Sequence, residues 1–591
     1  MRTRFSPQLL NLLAATCIFL YAAPSALAQS SDLGSPLATP GNTPTVFDNP
    51  DLVERYQATI TPEDLAAHLY FFASDLFEGR ETSTRGQKLA ANYLAGQYRK
   101  MGLTPKGTAA PENPMAPDAY FQPFEVYGRR LAEAHIQVKI GNKTVAESAF
   151  SPTRHDDQAY LAFGTIADVD AGVIFAGYGI ADDELGYNDF AAMKAAGLDH
   201  TGKWLLMFND EPMSDAETSL ITKDGQLSRW STSGSAKFNG LFGLGLPKGI
   251  MIIADTSPRT ETSMAERATK AASGQQGVGS LSLNEQGGGF SFPPIYMVSS
   301  AFADKILAPS GHTVKAVQEE INTTRKPVVF DAGAVQVTST LKNESYTATT
   351  ENVLAFIEGS DPVLKDEIVV ISSHYDHIGM NPSASGDQIN NGADDDGSGT
   401  VGVLEIAEAF INAKKDGFGP RRSILFLNVT GEEKGLLGSA YYADMEPVLP
   451  LEKTVADLNI DMIGRFDPTH PTGSQNYVYI IGSKLISQEL HDINARVNEL
   501  TKTNLELDER FNSKDDPNQF YRRSDHWNFG KKNIPFIFFF TGTHEDYHQP
   551  GDEAHKIEYP RMARIAQLIF ATAWQVANQD TPPEVSGQGF N

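Results

Sequence analysis

The chain has 591 residues, 48 Lys and Arg against 74 Asp and Glu, a formal net charge of -26 and a single cysteine. Its length points to several domains rather than one core. The acidic balance argues against nucleic acid or anionic membranes as partners, and one cysteine excludes a disulfide framework.

The first residues read as a secretory signal peptide. "MRTRFSPQ" carries two Arg and no acid, the following "LLNLLAATCIFLYAA" is apolar but short for a membrane span, and Ala26 and Ala28 suit cleavage after Ala28. Cys17 lies inside this segment, and Ala14 stands where a lipoprotein signal would want Leu. The expected organisation is a signal peptide over 1–28 and a flexible leader over 29–60, rich in Ser, Pro, Thr and Gly. The exported chain would then be periplasmic or extracellular, with no later membrane span and no thiolate for a metal.

Helices are expected next, within a helical part spanning 61–123. "TPEDLAAHLYFFAS" has a Thr cap with acids in the first turn, and "GQKLAANYLAGQYRKMGL" is amphipathic and ends at Gly102. Over 124–338 short β-like runs alternate with Gly-rich connections, which predicts an inserted β-rich domain. Over 339–580 the pattern is strand, loop, helix, repeated: "EIVVISS", "SILFLNVT", "TVADLNI" and "IPFIFFFTG" are the strands. That alternation predicts an α/β fold, a mostly parallel mixed sheet flanked by helices. A flexible tail is expected over 581–591.

Ligands of open α/β sheets bind beyond the carboxyl ends of the strands. There the chain places His374, Asp376 and His377, then Glu432 and Glu433, then Asp461, then His544, Glu545, Asp546 and His548, with "GADDDGSG" between the first strand and its helix. Converging carboxylates with no cation among them call for metal ions. An EF-hand reading of "GADDDGSG" fails, because Gly392 and Val403 would stand where acidic ligands belong. His with several carboxylates suits zinc, with cobalt or manganese as alternatives, and the excess of acids favours two ions.

"SSHYDHIG", "GADDDGSG", "TGEEKGLLGS", "NIDMIGR" and "DYHQPGDE", in this order, resemble the co-catalytic dizinc exopeptidases of the aminopeptidase kind, a family that includes glutamate carboxypeptidases and glutaminyl cyclases. The early "FASDLFEGRETSTRGQKLAANYL" is similar to that of secreted members, and 124–338 sits where they insert a protease-associated domain. The resemblance implies an exported aminopeptidase that removes N-terminal residues from peptides. It implies metal ligands His374, Asp395, Glu433, Asp461 and His548, with Asp395 bridging two Zn2+ ions. Glu432 would be the general base for a metal-bridging water, and Asp376 the acid that orients His374. His377, His544, Glu545 and Asp546 are expected at the rim, Asp394 and Asp396 as turn or cap acids, and Asp525 and His526 are weighed as pocket residues.

Three alternatives share the scaffold. A carboxypeptidase would need cations such as Arg465, Arg522 or Arg523 for a substrate carboxylate. A glutaminyl cyclase would use a single zinc. A binding protein would lack bound metal.

Overall fold

The computed structural model describes residues 41–590, apart from 165–167, 233–235, 238–243, 275–277, 286–291, 382–385, 471–473, 517 and 588. The expected signal peptide, Cys17 and the leader up to residue 40 lie outside the described residues.

The centre of the larger sheet runs in the order Val335–Ile357, Ser423–Val429, Ile368–His374, Thr454–Ile460, Phe536–Phe540, Tyr477–Ile481. The inner four strands are mutually parallel, and the strands flanking them pair antiparallel. Within those four, Val455 alone is not buried. Such strands must be covered on both faces, hence their continuous apolar runs. Side chains alternate between the faces: Val369, Ile371, Ile424, Phe426, Leu458 and Ile460 pack into the helical core. Ile368, Val370, Leu425 and Leu427 pack on the other side with Tyr442 and Phe529.

Helices Pro62–Phe72, Arg85–Met101, Gly399–Lys415 and Tyr559–Asn578 contribute to the first face. Thr61 caps its helix by accepting the Asp64 N–H, and Gly102 closes the next in the left-handed conformation.

Part of the expected leader is structured. Pro50–Gln57 is a helix capped by Asn49, Val46 and Val53 are fully buried, and Tyr56 stacks on Trp574 at 5.8 Å. The polar composition of 29–60 hides these spaced apolar residues, which join the same core as the Tyr559–Asn578 helix. The end of the chain is held too: Gly587 N–H donates to Ile486 O, and Phe590 stacks on Tyr521 at 5.5 Å.

The insertion is carried by two long strands. Phe121–Ile140 and Val335–Ile357 pair antiparallel from Phe121–Val353 out to Ile140–Val335. The boundaries expected at 124 and 338 therefore fall inside strands. Beyond them lies a six-stranded sheet in the order Val329–Asp331, Val173–Ala176, Trp204–Phe208, Gly249–Ile253, Ile295–Val298, Ala159–Phe163. Its middle strands are parallel, and helices Ser300–Leu307 and Val314–Thr324 contribute to its core. The insertion is thus α/β in its own right. Among the described residues no helix is long and apolar enough to cross a membrane.

Candidate metal centre

The site lies where the four parallel strands end. His374 is the last residue of Ile368–His374 and pairs in register with Val429, so Glu432 and Glu433 leave the same edge a few residues later. Asp461 directly follows Thr454–Ile460, and His548 lies in the loop after Phe536–Phe540. The parallel register brings together residues that the chain separates by up to 174 positions (548 minus 374).

Asp395 sits at the middle. Its Oδ1 is 3.3 Å from His374 Nε2, and its Oδ2 is 3.0 Å from His548 Nε2. On the first side, His374 Nε2 is also 3.6 Å from Asp461 Oδ2 and 3.9 Å from Glu432 Oε2. On the second, His548 Nε2 is 3.3 Å from Glu433 Oε2, and His377 Nδ1 is 2.8 Å from Glu433 Oε1. All five expected ligands and Glu432 are therefore brought together, around two centres that share one carboxylate.

The loop carrying Asp395 is held from several directions. Arg80, fully buried, donates to the carbonyls of Tyr375, Asn391 and Gly392. Asp552 accepts the N–H groups of Asp394 and Asp395. Asp394 accepts from Gly464 N and Arg465 N, while Asp396 accepts from Met462 N and Gly399 N. These turn and cap roles match the expectation for Asp394 and Asp396, and they also tie the loop to the backbone just after Asp461. At Gly392, φ is +57°, and a Cβ would come within 2.3 Å of Asp395 O and 2.5 Å of the His377 ring.

Several residues differ from their sequence reading. The Asp376 carboxylate is 3.8 Å from His374 Nδ1, beyond hydrogen-bond distance. It accepts from Thr82 Oγ1 and from the Glu432 N–H, so it anchors the segment that bears Glu432, while the Asp376 carbonyl faces His374 Nδ1 at 3.2 Å. His377, expected at the rim, is fully buried in the second centre. The only sequence signal for it was its place three residues after His374, which does not reveal the direction of the side chain.

His544 is also buried, with Nε2 3.3 Å from Asp394 Oδ2. Neither Asp525 nor His526 lines the cavity. Asp525 accepts from Ser439 Oγ at 2.5 Å, and burial pushes it up to about 7. His526 donates to Tyr521 O and stacks on Phe538, and burial pushes it down to about 3.

The charges are strongly coupled. Burial works against ionisation of Asp395, but His377, His374 and His548 outweigh it and hold the carboxyl well below the usual carboxylate range. Burial and Asp395 oppose ionisation of Glu433, yet His377 and His548 bring it down to about 2. Glu432 goes the other way: burial raises it well above the usual range, with Glu433, Asp525 and Asp461 adding to the effect against His374. Two adjacent glutamates thus have opposite character.

The donor set fits divalent zinc, which takes carboxylate oxygen and imidazole nitrogen. Glu433 Oε1 and both ring nitrogens of His377 are buried without a hydrogen-bond partner. Buried polar atoms of this kind need a partner, and a cation between them would supply it. The cavity over the centres is walled by Met462, Phe520, Phe538, Phe540 and Tyr547, with Arg523 at its edge.

Residues 352–573 match peptidase family M28. A segment of 225 residues is 29% identical to leucine aminopeptidase 2 of Arthroderma otae, covering 36% of this chain and 37% of that protein. Over 255 residues the chain is 24% identical to aminopeptidase YwaD of Bacillus subtilis, covering 42% of this chain and 50% of that protein. The matches thus span half or less of the length of these relatives. Among solved structures, an aminopeptidase from Aneurinibacillus sp. strain AM-1 superposes with a TM-score of 0.48 at 18% identity, over 91% of this chain and 98% of that one.

Proposed function

We propose that this protein, whose residues 352–573 match peptidase family M28, is an exported zinc-dependent aminopeptidase that hydrolyses the first residue from peptides. The observation that carries the reading is the shared carboxylate: Asp395 faces His374 with one oxygen and His548 with the other. In it, His374, Asp395 and Asp461 hold one ion, and Asp395, Glu433 and His548 hold the second. When bound, such a pair supplies Lewis acidity to the scissile carbonyl and lowers the pKa of water.

Glu432 stands on the His374 side, with Oε2 3.9 Å from that ring. Its role is to take a proton from the attacking water and deliver it to the leaving amine, so that the peptide C–N bond breaks without a covalent intermediate. Asp376 holds the Glu432 backbone at the strand end and so fixes where the carboxylate can reach. The aromatic wall of Phe520, Phe538, Phe540 and Tyr547 supports a large apolar side chain on the terminal residue. Export rests on the N-terminal basic and apolar run, and the insertion is proposed as the protease-associated domain of this architecture.

The test is product release from a panel of aminoacyl-anilides, with and without chelation and zinc restoration. Chelator-sensitive release that zinc restores, strongest for leucyl or phenylalanyl substrates, is expected. No turnover of any free-amine substrate by zinc-loaded protein would overturn the reading in favour of a carboxypeptidase or cyclase.

A further inference from the structure

The two centres are not equivalent in their protein donors. The first gathers His374, Asp395 and Asp461; the second gathers His377, Asp395 and Glu433, and His548 stands against the same two carboxylates. From this asymmetry, which rests on the two-ion reading above, we infer that His377 is a fourth protein ligand of the second ion, making that site closed and the first site the open one.

Each of the two imidazoles stands against the same two carboxylates. His377 Nδ1 is 2.8 Å from Glu433 Oε1 and 3.7 Å from Asp395 Oδ2, while His548 Nε2 is 3.3 Å from Glu433 Oε2 and 3.0 Å from the same Asp395 oxygen. Donors about 2.0–2.1 Å from a tetrahedral zinc stand roughly 3.3 Å apart, and these separations bracket that edge. His377 Nδ1 and Glu433 Oε1 are close, yet they are not aligned as a hydrogen bond and neither has another partner. Two groups that both aim at a third position have this relation.

The ring is also fixed in place. The His377 N–H donates to Arg80 O at 3.2 Å, and the ring packs on Gly392, where even a Cβ would approach within 2.5 Å. A pre-placed imidazole loses little freedom on binding a metal. Zinc sites closed by four protein donors are structural in character, whereas sites with three protein ligands keep a position for water or substrate. Glu432 faces the three-donor side, near His374. The division assigns tight retention to the ion beside His377 and the reacting groups to the ion beside His374.

The test is cobalt titration of the chelated full-length protein, followed by visible absorption and metal content. Wild-type protein is expected to bind two ions of unequal affinity. His377→Ala is expected to keep the first ion, to bind the second roughly tenfold to a hundredfold more weakly or worse, and to change the absorption of the second ion only. Added imidazole should restore both in the vacated space. If circular dichroism shows that the alanine variant does not fold, His377→Gln serves in its place. Two ions bound by the variant with wild-type affinity and spectrum would overturn the inference while leaving the two-ion reading intact. Fewer than two ions in the wild type would overturn both.

Discussion

The guanidinium of Arg80 caps the carbonyl of Gly392 at 2.8 Å, three residues before Asp395. Arg80 is fully buried and lies over the ring of Phe72, 4.7 Å from its centroid. Burial brings it down to about 10, against the pull of Asp395, Asp552, Asp376 and Asp396. Its donors go to backbone carbonyls rather than to a carboxylate, so it serves as the foundation of the Asp395 loop. Arg80→Met should take the Arg80 donor from the carbonyls of Tyr375 and Asn391, at about 1–3 kcal/mol each before relaxation, while Gly392 O keeps the Gly397 N–H. The expected result is a lower urea midpoint and weaker binding of both ions. Unchanged metal affinity in a folded variant would remove Arg80 from the support of the site.

Glu432→Gln keeps shape and removes the proton acceptor. Steady-state kinetics on the preferred anilide should show kcat lower by about 10²–10⁴-fold, with metal content equal to that of the parent. Retained kcat would assign the base elsewhere; lost metal would instead make Glu432 a ligand.

Gly392→Ala tests the crowded turn. The residue has φ +57°, and the new methyl would meet the Asp395 carbonyl and the His377 ring at once. We expect lower thermal stability and a loss of metal affinity that falls on the second ion. Equal loss at both centres would show that the whole loop, not the His377 side, moves.

Asp189, in the insertion, predicts a pH dependence away from the metal centre. It is fully buried, accepts the N–H groups of Tyr178 and Ile180, and burial pushes it up to about 7 from 3.8. Between these values the folded state holds the proton and the unfolded state has released it, so stability falls as pH rises through about 4 to 7. Asp189→Asn should be flatter than wild type over that window in urea unfolding. A wild-type slope in the variant would show that other groups set it.

The sequence determined the parallel sheet and the residue types at its edge. Fully apolar runs such as "IPFIFFF" must be covered on both faces, and His or carboxylate follows each inner strand. Ordered motifs were enough to name His374, Asp395, Glu433, Asp461 and His548 as a set. The tertiary structure decided what depends on direction and distance. His377 points inward because Arg80 and Gly392 fix its backbone and ring, and Asp376 serves the Glu432 strand end more than His374. The described part of the leader packs because Val46, Val53 and Tyr56 join a core shared with the Tyr559–Asn578 helix, where Tyr56 stacks on Trp574. One-dimensional pattern fixes which face of an element is apolar; which side chain reaches which neighbour depends on register and loop conformation, and these exist only once the strands are paired.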